Sequence, residues 1–301
     1  MGAADKRTLS PQLHGVLAPK FWRDHFPDLT ISEALPSPVT PPAQAALDTI
    51  KKRVTKEGYF DERSPALERM APRLAESVQK LVALGLPAPF LFVFDEPWNA
   101  FRAVDAVIAA LLGSDFKMLP DFWAWHVDPK TSEAGWAPHR DRGRVALAPD
   151  GSPLAISLWI PLTEATPLNG CMYILPAHRD PVYNTASEHD RSAIDLASIR
   201  ALPAKPGAFM AWNQAVLHWG AKSSPMAQAP RISMAVEFQR GDSAPMNEPL
   251  LDLGRALTFD QRLRLIAKQI LQYQHLYPLK PETRAIADAI QARPVSKPTT
   301  S

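Results

Sequence analysis

The stretch Arg231-Ile-Ser-Met-Ala-Val-Glu-Phe238 alternates small or polar residues with large apolar ones along its whole length. A period of two is typical of a β-strand whose two faces meet different surroundings. Arg231, Ser233, Ala235 and Glu237 therefore share one face of the predicted strand. We expect a barrel of antiparallel strands that turns this face towards its interior.

Shorter stretches upstream of this strand also predict β structure. An apolar run at 155–162 includes a proline near its end, and the Asn169-Gly170 turn signal precedes a second apolar run at 171–176. Two further short strands are predicted at 208–212 and 215–218, after a Pro-Gly turn. Together these patterns predict a mainly β core.

Two histidines and one aspartate flank these strands. His139 and Asp141 are two residues apart, so in an extended segment both side chains project to the same side. His218 follows after the intervening strands. Two imidazoles and one carboxylate are the set that holds non-haem Fe(II) on one face and leaves other positions open. Arg231, a little further on, offers a planar pair of donors that matches the carboxylate of a 2-oxoacid.

The core from about residue 116 to residue 240 resembles the phytanoyl-CoA dioxygenase-like family of Fe(II)/2-oxoglutarate-dependent oxygenases. The resemblance is carried by Pro138-His-Arg-Asp141, Ser157-Leu-Trp-Ile-Pro-Leu162, Leu168-Asn-Gly-Cys-Met-Tyr-Ile-Leu-Pro-Ala-His178, and His218-Trp-Gly220 with Arg231 after it. The Asn-Gly turn that leads to a proline and a histidine is its most specific part.

This resemblance implies a mainly β fold with flanking helices and a double-stranded β-helix (jelly-roll, cupin-like) core. It implies that His139, Asp141 and His218 hold Fe(II), that Arg231 binds the distal carboxylate of 2-oxoglutarate, and that Trp159 lies near this cosubstrate. The implied activity is that of a dioxygenase that hydroxylates a small or medium organic substrate. Succinate and CO2 are then released, and O2 is consumed.

The chain departs from the family pattern in two places. The element that contains His178 is one residue shorter than usual, so a structural role is expected for His178. The hydroxyl that often follows the distal histidine is missing, because Trp219 and Gly220 stand there. Ser233, on the same strand face as Arg231, is the expected substitute in cosubstrate binding.

Six of the eight tryptophans lie in the predicted core. Trp123 and Trp125 precede the ligand pair on a predicted strand, and Trp136 lies in the loop before His139. We expect these three to form a wall of the substrate site. Arg142 and its charged neighbours predict a solvated loop.

Length and pattern predict one catalytic domain with additions. We expect an extended proline-rich segment at 1–45, a helical buttress at 46–115, the catalytic core at 116–240, and a helical extension and tail at 241–301. Amphipathic helices are predicted at 66–82 and from residue 259, with Thr258 as the cap of the second. The last residues, from 293 onward, are expected to be disordered.

Composition narrows the classes of partner. A net charge of +2 disfavours a nucleic-acid partner, which needs a clustered basic face. The absence of a long apolar run or a signal peptide predicts a cytoplasmic protein without a membrane partner. The single cysteine, Cys171, excludes an intrachain disulfide. The expected partners are 2-oxoglutarate, O2 and a small-molecule substrate, and the oligomeric state is left open.

Two alternatives accept the same three ligands. A cupin-type barrel could use Zn(II) for hydrolysis, or could bind metal without turnover. Neither needs Arg231. A nucleic-acid demethylase of the same superfamily would carry an Arg-x-Asn-x-Thr-x-Arg strand, which the stretch from Arg231 does not match. The sequence leaves open the primary substrate, and whether it is hydroxylated, desaturated or cyclised.

Overall fold

The computed structural model describes residues 15–131, 135–277 and 279–293. Its helices and strands, in chain order, are α1 (Pro19–His25), α2 (Gln44–Glu57), β1 (Tyr59–Arg63), α3 (Pro65–Ala83), α4 (Asp95–Arg102), α5 (Asp105–Leu112), β2 (Lys117–Val127), β3 (Ala155–Pro161), β4 (Met172–Ile174), β5 (Arg200–Leu202), β6 (Ala208–Asn213), β7 (His218–Gly220), β8 (Arg231–Gln239), α6 (Phe259–Gln272) and α7 (Pro281–Ala292). Short 3₁₀ turns, including Ala88–Val93, connect several of them.

The strands form two antiparallel sheets. The large sheet has the order β1-β6-β3-β8-β2, and the small sheet has the order β5-β4-β7. Residues of both sheets pack into one apolar cluster, with Trp159 and Met210 from the large sheet and Met172 and Ile174 from the small one. The core is a mainly antiparallel double-stranded β-helix with flanking helices, as expected from the sequence.

Strand β8 shows why the large sheet has two different faces. One set of its residues, exposed by no more than 1%, packs in the apolar core shared with the helices: Ile232, Met234, Val236 and Phe238. The alternate set faces the barrel interior. The alternation read from the sequence is therefore confirmed as a strand, and its polar face lies inside the barrel.

The helical layer covers the outer face of the large sheet. The 3₁₀ turn Ala88–Val93 is buried between this sheet and helices α3 and α6. Arg262 of α6 forms a buried ion pair with Asp95 of α4, at 2.6 Å between Nη2 and Oδ1. The hydroxyls of Thr30 and Ser32 also donate to this carboxylate, so the pair connects the N-terminal segment to both helices.

The N-terminal segment differs from the expected extended conformation. Residues 19–25 form α1, and Trp22 in this helix is fully buried and stacks on Phe90. The packing of this large aromatic side chain in the core stabilises the helix by more than the prolines around it disfavour it. The expected disordered tail lies outside the described residues, apart from Arg293.

Other local expectations compare well with the structure. Helix α3 spans the predicted amphipathic stretch with Pro72 inside it, and Thr258 closes a capping box at the start of α6. The predicted strand at 215–218 was wrong, because the strand begins only at His218.

Among the described residues, no helix is both long and apolar enough to cross a membrane.

The buried pair predicts a large stability effect. Asp95→Ala leaves the Arg262 guanidinium buried without its counter-ion, so we expect the free energy of unfolding to fall by about 3–5 kcal/mol, measured by urea denaturation. The control is Asp24→Ala, which removes the exposed Lys20–Asp24 pair and should cost at most about 1 kcal/mol. Equal urea midpoints for the two variants would show that the buried pair does not stabilise the helical layer.

Candidate metal and cosubstrate site

His139 and His218 lie side by side on neighbouring extended segments. Each backbone N–H donates to the other residue's carbonyl oxygen at 3.0 Å, and the two ring centroids are 4.4 Å apart. Directly paired residues in a sheet project to the same side. This β-bridge between His139 and His218 therefore places both imidazoles in the barrel interior, although the two residues are far apart in sequence.

Backbone carbonyls fix the orientation of both rings. His139 Nδ1 donates to the Ala137 carbonyl at 2.8 Å, and His218 Nδ1 donates to the Val216 carbonyl at 3.0 Å. A carbonyl only accepts, so Nδ1 carries the proton of each neutral ring and Nε2 keeps its lone pair. His139 Nε2 is buried and has no hydrogen-bond partner among the described residues.

Asp141 faces the two imidazoles with one oxygen only. Its Oδ1 lies 3.2 Å from His139 Nε2 and 3.5 Å from His218 Nε2. Its Oδ2 accepts hydrogen bonds from Ser157 Oγ at 2.6 Å and from Trp212 Nε1 at 3.0 Å. Residues of strands β3 and β6 in the large sheet thereby fix the orientation of the Asp141 carboxylate, which faces His139 and His218.

This arrangement fits a single metal ion. The three ligand atoms all lie within 4.8 Å of one another. Ligand atoms about 2.1 Å from one ion, and at right angles across it, are about 3 Å apart. The observed spacings are close to that value, and the buried Nε2 without a partner is the kind of atom that a metal satisfies.

The electrostatics of the three groups also suit a cation. Burial lowers the pKa of His218 to about 4, so this imidazole is neutral and able to donate its lone pair at neutral pH. Burial opposes ionisation of Asp141, but the two histidines and the Ser157 hydroxyl outweigh it and hold the pKa of this carboxyl well below its usual range. For His139, burial favours the neutral ring, while the Asp141 carboxylate raises its pKa overall.

Arg231 is a buried guanidinium in the same cavity. It is 2% exposed, and its Nη1 donates to Ser233 Oγ at 2.8 Å. Its Nε has no partner, and no carboxylate pairs with the guanidinium within the described part of the chain. Burial lowers its pKa to about 10, so it stays charged at neutral pH. A buried charge without a counter-ion is costly, and an anionic ligand would supply the missing partner.

The two other residues expected near the cosubstrate, Trp159 and Ser233, differ in whether they line the cavity. Trp159 lines the cavity, with its ring 6.0 Å from the Arg231 guanidinium carbon. Ser233 is fully buried, and its hydroxyl oxygen accepts a hydrogen bond from Arg231 Nη1. Ser233 does not line the cavity wall. Its hydroxyl therefore contacts the guanidinium rather than the open space where a cosubstrate would lie.

All three tryptophans expected in the substrate wall line this cavity. The ring centroid of Trp136 lies 5.7 Å from that of Trp125 and 5.5 Å from that of His139. Trp123 stacks on Tyr277 at 5.3 Å, and Trp125 Nε1 donates to the Tyr277 hydroxyl at 2.8 Å. His178 is exposed on a 3₁₀ turn and does not join the cluster.

No role in the site was assigned from the sequence to three residues that line the cavity, Asp121, Glu237 and Tyr273. Arg142, expected in a solvated loop, instead hydrogen-bonds Glu237 and donates to Gln214 Oε1 at 2.7 Å. Its Nη2 lies 3.4 Å from Asp121 Oδ2. Burial, together with the nearby Asp141 and Asp121 charges, raises the pKa of Glu237 to about 8 despite Arg142. The alternation of β8 already placed Glu237 on the inner face, whereas no local signal predicted Tyr273 of the C-terminal region in the wall.

The hydrogen bonds to Asp141 predict an effect on metal affinity. Ser157→Ala removes the donor that orients this carboxylate, so we expect binding of Fe(II) to weaken by about tenfold or more, measured by anaerobic calorimetric titration. Ser152→Ala lies in a surface turn, where the Ser152 hydroxyl donates to Asp150 and to no other described residue, so it is the control and should bind as the parent does. Unchanged affinity in Ser157→Ala would contradict a role for the Ser157 hydroxyl in orienting Asp141, which would then rest on Trp212 Nε1 alone.

Comparison with known proteins gives one family match and several similar folds. The family model described as phytanoyl-CoA dioxygenase matches residues 43–225. The apo structure of the non-haem monooxygenase ThoJ is 18% identical, covers 81% of this chain and all of its own, and has a TM-score of 0.55. The non-haem α-ketoglutarate-dependent epimerase SnoN, from nogalamycin biosynthesis, is 16% identical, covers 72% of this chain and 96% of its own, and has a TM-score of 0.50. No curated protein matches the sequence significantly.

Proposed function

The chain belongs to the phytanoyl-CoA dioxygenase family, and on that basis we propose that it is an Fe(II)- and 2-oxoglutarate-dependent dioxygenase. Its primary substrate is a small or medium organic molecule, which it hydroxylates with release of succinate and CO2. The observation that carries this proposal is one cavity that combines three convergent metal-ligand atoms with a buried arginine that pairs with no carboxylate of the described residues.

The proposed metal ligands are His139, Asp141 and His218. When bound, Fe(II) together with 2-oxoglutarate and O2 supplies the oxidising chemistry. The protein prepares the ligands by directing both Nε2 atoms and Oδ1 to one point, because their other polar atoms are already hydrogen-bonded. That preorganisation leaves little reorganisation for metal binding to overcome.

The proposed cosubstrate residues are Arg231, Ser233 and Trp159. The guanidinium binds the distal carboxylate of 2-oxoglutarate through a charge-assisted pair. Ser233 positions the guanidinium by accepting from Nη1, and the Trp159 ring forms a wall beside it. Gly220 leaves room there, since a Cβ at this position would be only 3.2 Å from Arg231 Nη2.

The substrate is proposed to bind against Trp123, Trp125 and Trp136. These indoles provide an apolar wall that excludes water on the side of the cavity next to His139. The proposed catalytic core is residues 116–240, with the segments at 1–45, 46–115 and 241–301 as additions to it. The cytoplasmic location and the absence of nucleic-acid and membrane partners stay predictions from the sequence.

A zinc hydrolase or a non-catalytic metal-binding barrel fits the cavity less well. Either would use the two histidines and the aspartate, but neither has a use for a buried guanidinium beside them. The cost of burying Arg231 with no carboxylate partner among the described residues favours a function in which an anion binds at that point.

Removal of one histidine ligand tests the metal assignment. His139→Ala and His218→Ala should each lose most of the one Fe(II) expected per chain, and the activity with it, because two remaining ligands hold this labile ion poorly. The measurement is metal content by elemental analysis after anaerobic loading. His178→Ala is the matched control and should keep its iron. Full iron content in both ligand variants would contradict the assignment.

Replacement of the arginine tests the cosubstrate assignment. In Arg231→Lys the compact ammonium cannot reproduce the two-donor fork, so the Kd for 2-oxoglutarate should rise by about tenfold or more, while iron content stays unchanged. Equilibrium titration of the iron-loaded protein measures this. Arg200→Lys, which alters a surface pair with Glu57, is the control. If Arg231→Lys binds 2-oxoglutarate as tightly as the parent, the carboxylate is bound elsewhere.

A further inference from the structure

The cavity has a second charged residue on strand β8, far from the proposed cosubstrate end. Arg231 and Glu237 lie on the same face of this strand, and both line the cavity. Because a strand rises by about 3.3 Å per residue, the two positions are about 20 Å apart along it. 2-Oxoglutarate is itself a dianion and gains nothing from a second carboxyl group, so Glu237 is left for another ligand.

Glu237 lies next to the metal-ligand set. It is the strand partner of Ser157, whose hydroxyl donates to Asp141. Its Oε2 accepts from Arg142, whereas Oε1 accepts no hydrogen bond from the described residues and is not sealed from the cavity. The side chain is 15% exposed. A ligand held at Oε1 would therefore lie beside the position proposed for iron.

Carboxyl groups outnumber basic side chains at this end of the cavity, where Glu237, Asp121 and Asp141 lie near Arg142 and Lys268, and burial together with this charge imbalance raises the pKa of Glu237. Arg142 is shared between Glu237 and Asp121. Asp121 is otherwise satisfied, since it accepts from Asn247 Nδ2 at 2.7 and 2.8 Å and from Gln272 Nε2 at 2.8 Å. The nearby Lys268 ammonium donates to Asn247 and Gln272, so it does not pair with Glu237. Glu237 is the carboxylate with an acceptor to spare.

Aromatic rings line the same cavity as Glu237. Trp136 lies 5.0 Å from Tyr273 between ring centroids, with the planes inclined at 47°, and Trp125 meets Trp136 nearly edge-on. Ring faces set at an angle to one another, close to a carboxylate, form the type of cage that binds organic ammonium groups by cation–π attraction. This arrangement is independent of the charge imbalance and favours the same kind of ligand.

We propose that the primary substrate of this oxygenase is an organic cation, whose ammonium group binds between Glu237 and the rings of Trp136 and Tyr273. This inference rests on the proposed function, because it assigns the substrate end of the same cavity. A neutral chain would leave the spare Glu237 oxygen unpaired, and an anionic group would meet two carboxylates with one guanidinium between them. An ammonium group instead favours ionisation of Glu237 and pairs with its spare oxygen, which places the neighbouring carbons beside the metal ligands.

Two pairs of probes with matched shape separate charge from size. Choline is compared with 3,3-dimethylbutan-1-ol, and 2-phenylethylamine is compared with 2-phenylethanol. Each probe is titrated anaerobically, at a pH above the raised pKa of Glu237, into the full chain loaded with Fe(II) and 2-oxoglutarate, with tryptophan fluorescence as the readout. The ammonium member of at least one pair should bind about tenfold more tightly than its neutral partner.

Two variants locate this preference within the cavity. Glu237→Gln keeps the shape of the side chain but removes its charge, so the preference for the ammonium member should disappear. Trp136→Leu should weaken binding of the ammonium member more than that of its neutral partner. Glu164→Gln changes an exposed glutamate remote from the cavity lining and should keep the preference. Thermal unfolding of each variant verifies that it is folded.

The charge-transfer absorption of the anaerobic Fe(II)–2-oxoglutarate complex distinguishes a failure of the proposed function from a failure of the substrate assignment. If the parent protein shows no such band, the proposed function itself fails. If the band is present but neither pair shows a preference for the cation, the substrate assignment alone is wrong. A preference that persists in folded, iron-loaded Glu237→Gln also overturns it.

Discussion

A buried guanidinium, with no carboxylate partner in the described part of the chain, is the constraint on which the interior of this barrel depends. Arg231 is 2% exposed, and the only hydrogen bond from its side chain to a described residue goes to Ser233. Removal of such a charge from water costs several kcal/mol, and one neutral hydroxyl returns only part of that. The surrounding fold has to stabilise Arg231 until an anion reaches it. The buried core on the outer face of β8, packed beneath the helices, supplies that stability.

The metal-ligand set and the arginine belong to different sheets, so the site exists only when the sheets face each other. The small sheet contributes His218 and, through a bridge, His139. The large sheet contributes Arg231 and the donors that fix Asp141. The helices outside the barrel therefore affect the metal and cosubstrate site only indirectly, because their packing holds the large sheet in position opposite the small one.

Much of this site could be predicted from the sequence because its determinants are local. The spacing of His139 and Asp141 places both on one side of an extended segment, and the alternation of β8 puts Arg231 on the inner face. The role of Glu237 could not be assigned this way. It depends on Arg142 and Asp121, which approach it from other parts of the chain. Helix α1 was missed because its stability comes from burial of Trp22 in the tertiary structure, which overrides the local proline signal.

The most direct measurement is a crystal structure of the protein grown anaerobically with Fe(II) and 2-oxoglutarate, with iron located by its anomalous scattering. The structure described above predicts one iron within about 2.3 Å of His139 Nε2, His218 Nε2 and an oxygen of Asp141. It also predicts a carboxylate of 2-oxoglutarate bound to Arg231 through two hydrogen bonds. Iron bound by other residues, or an occupied metal site with Arg231 still lacking a carboxylate partner, would contradict it.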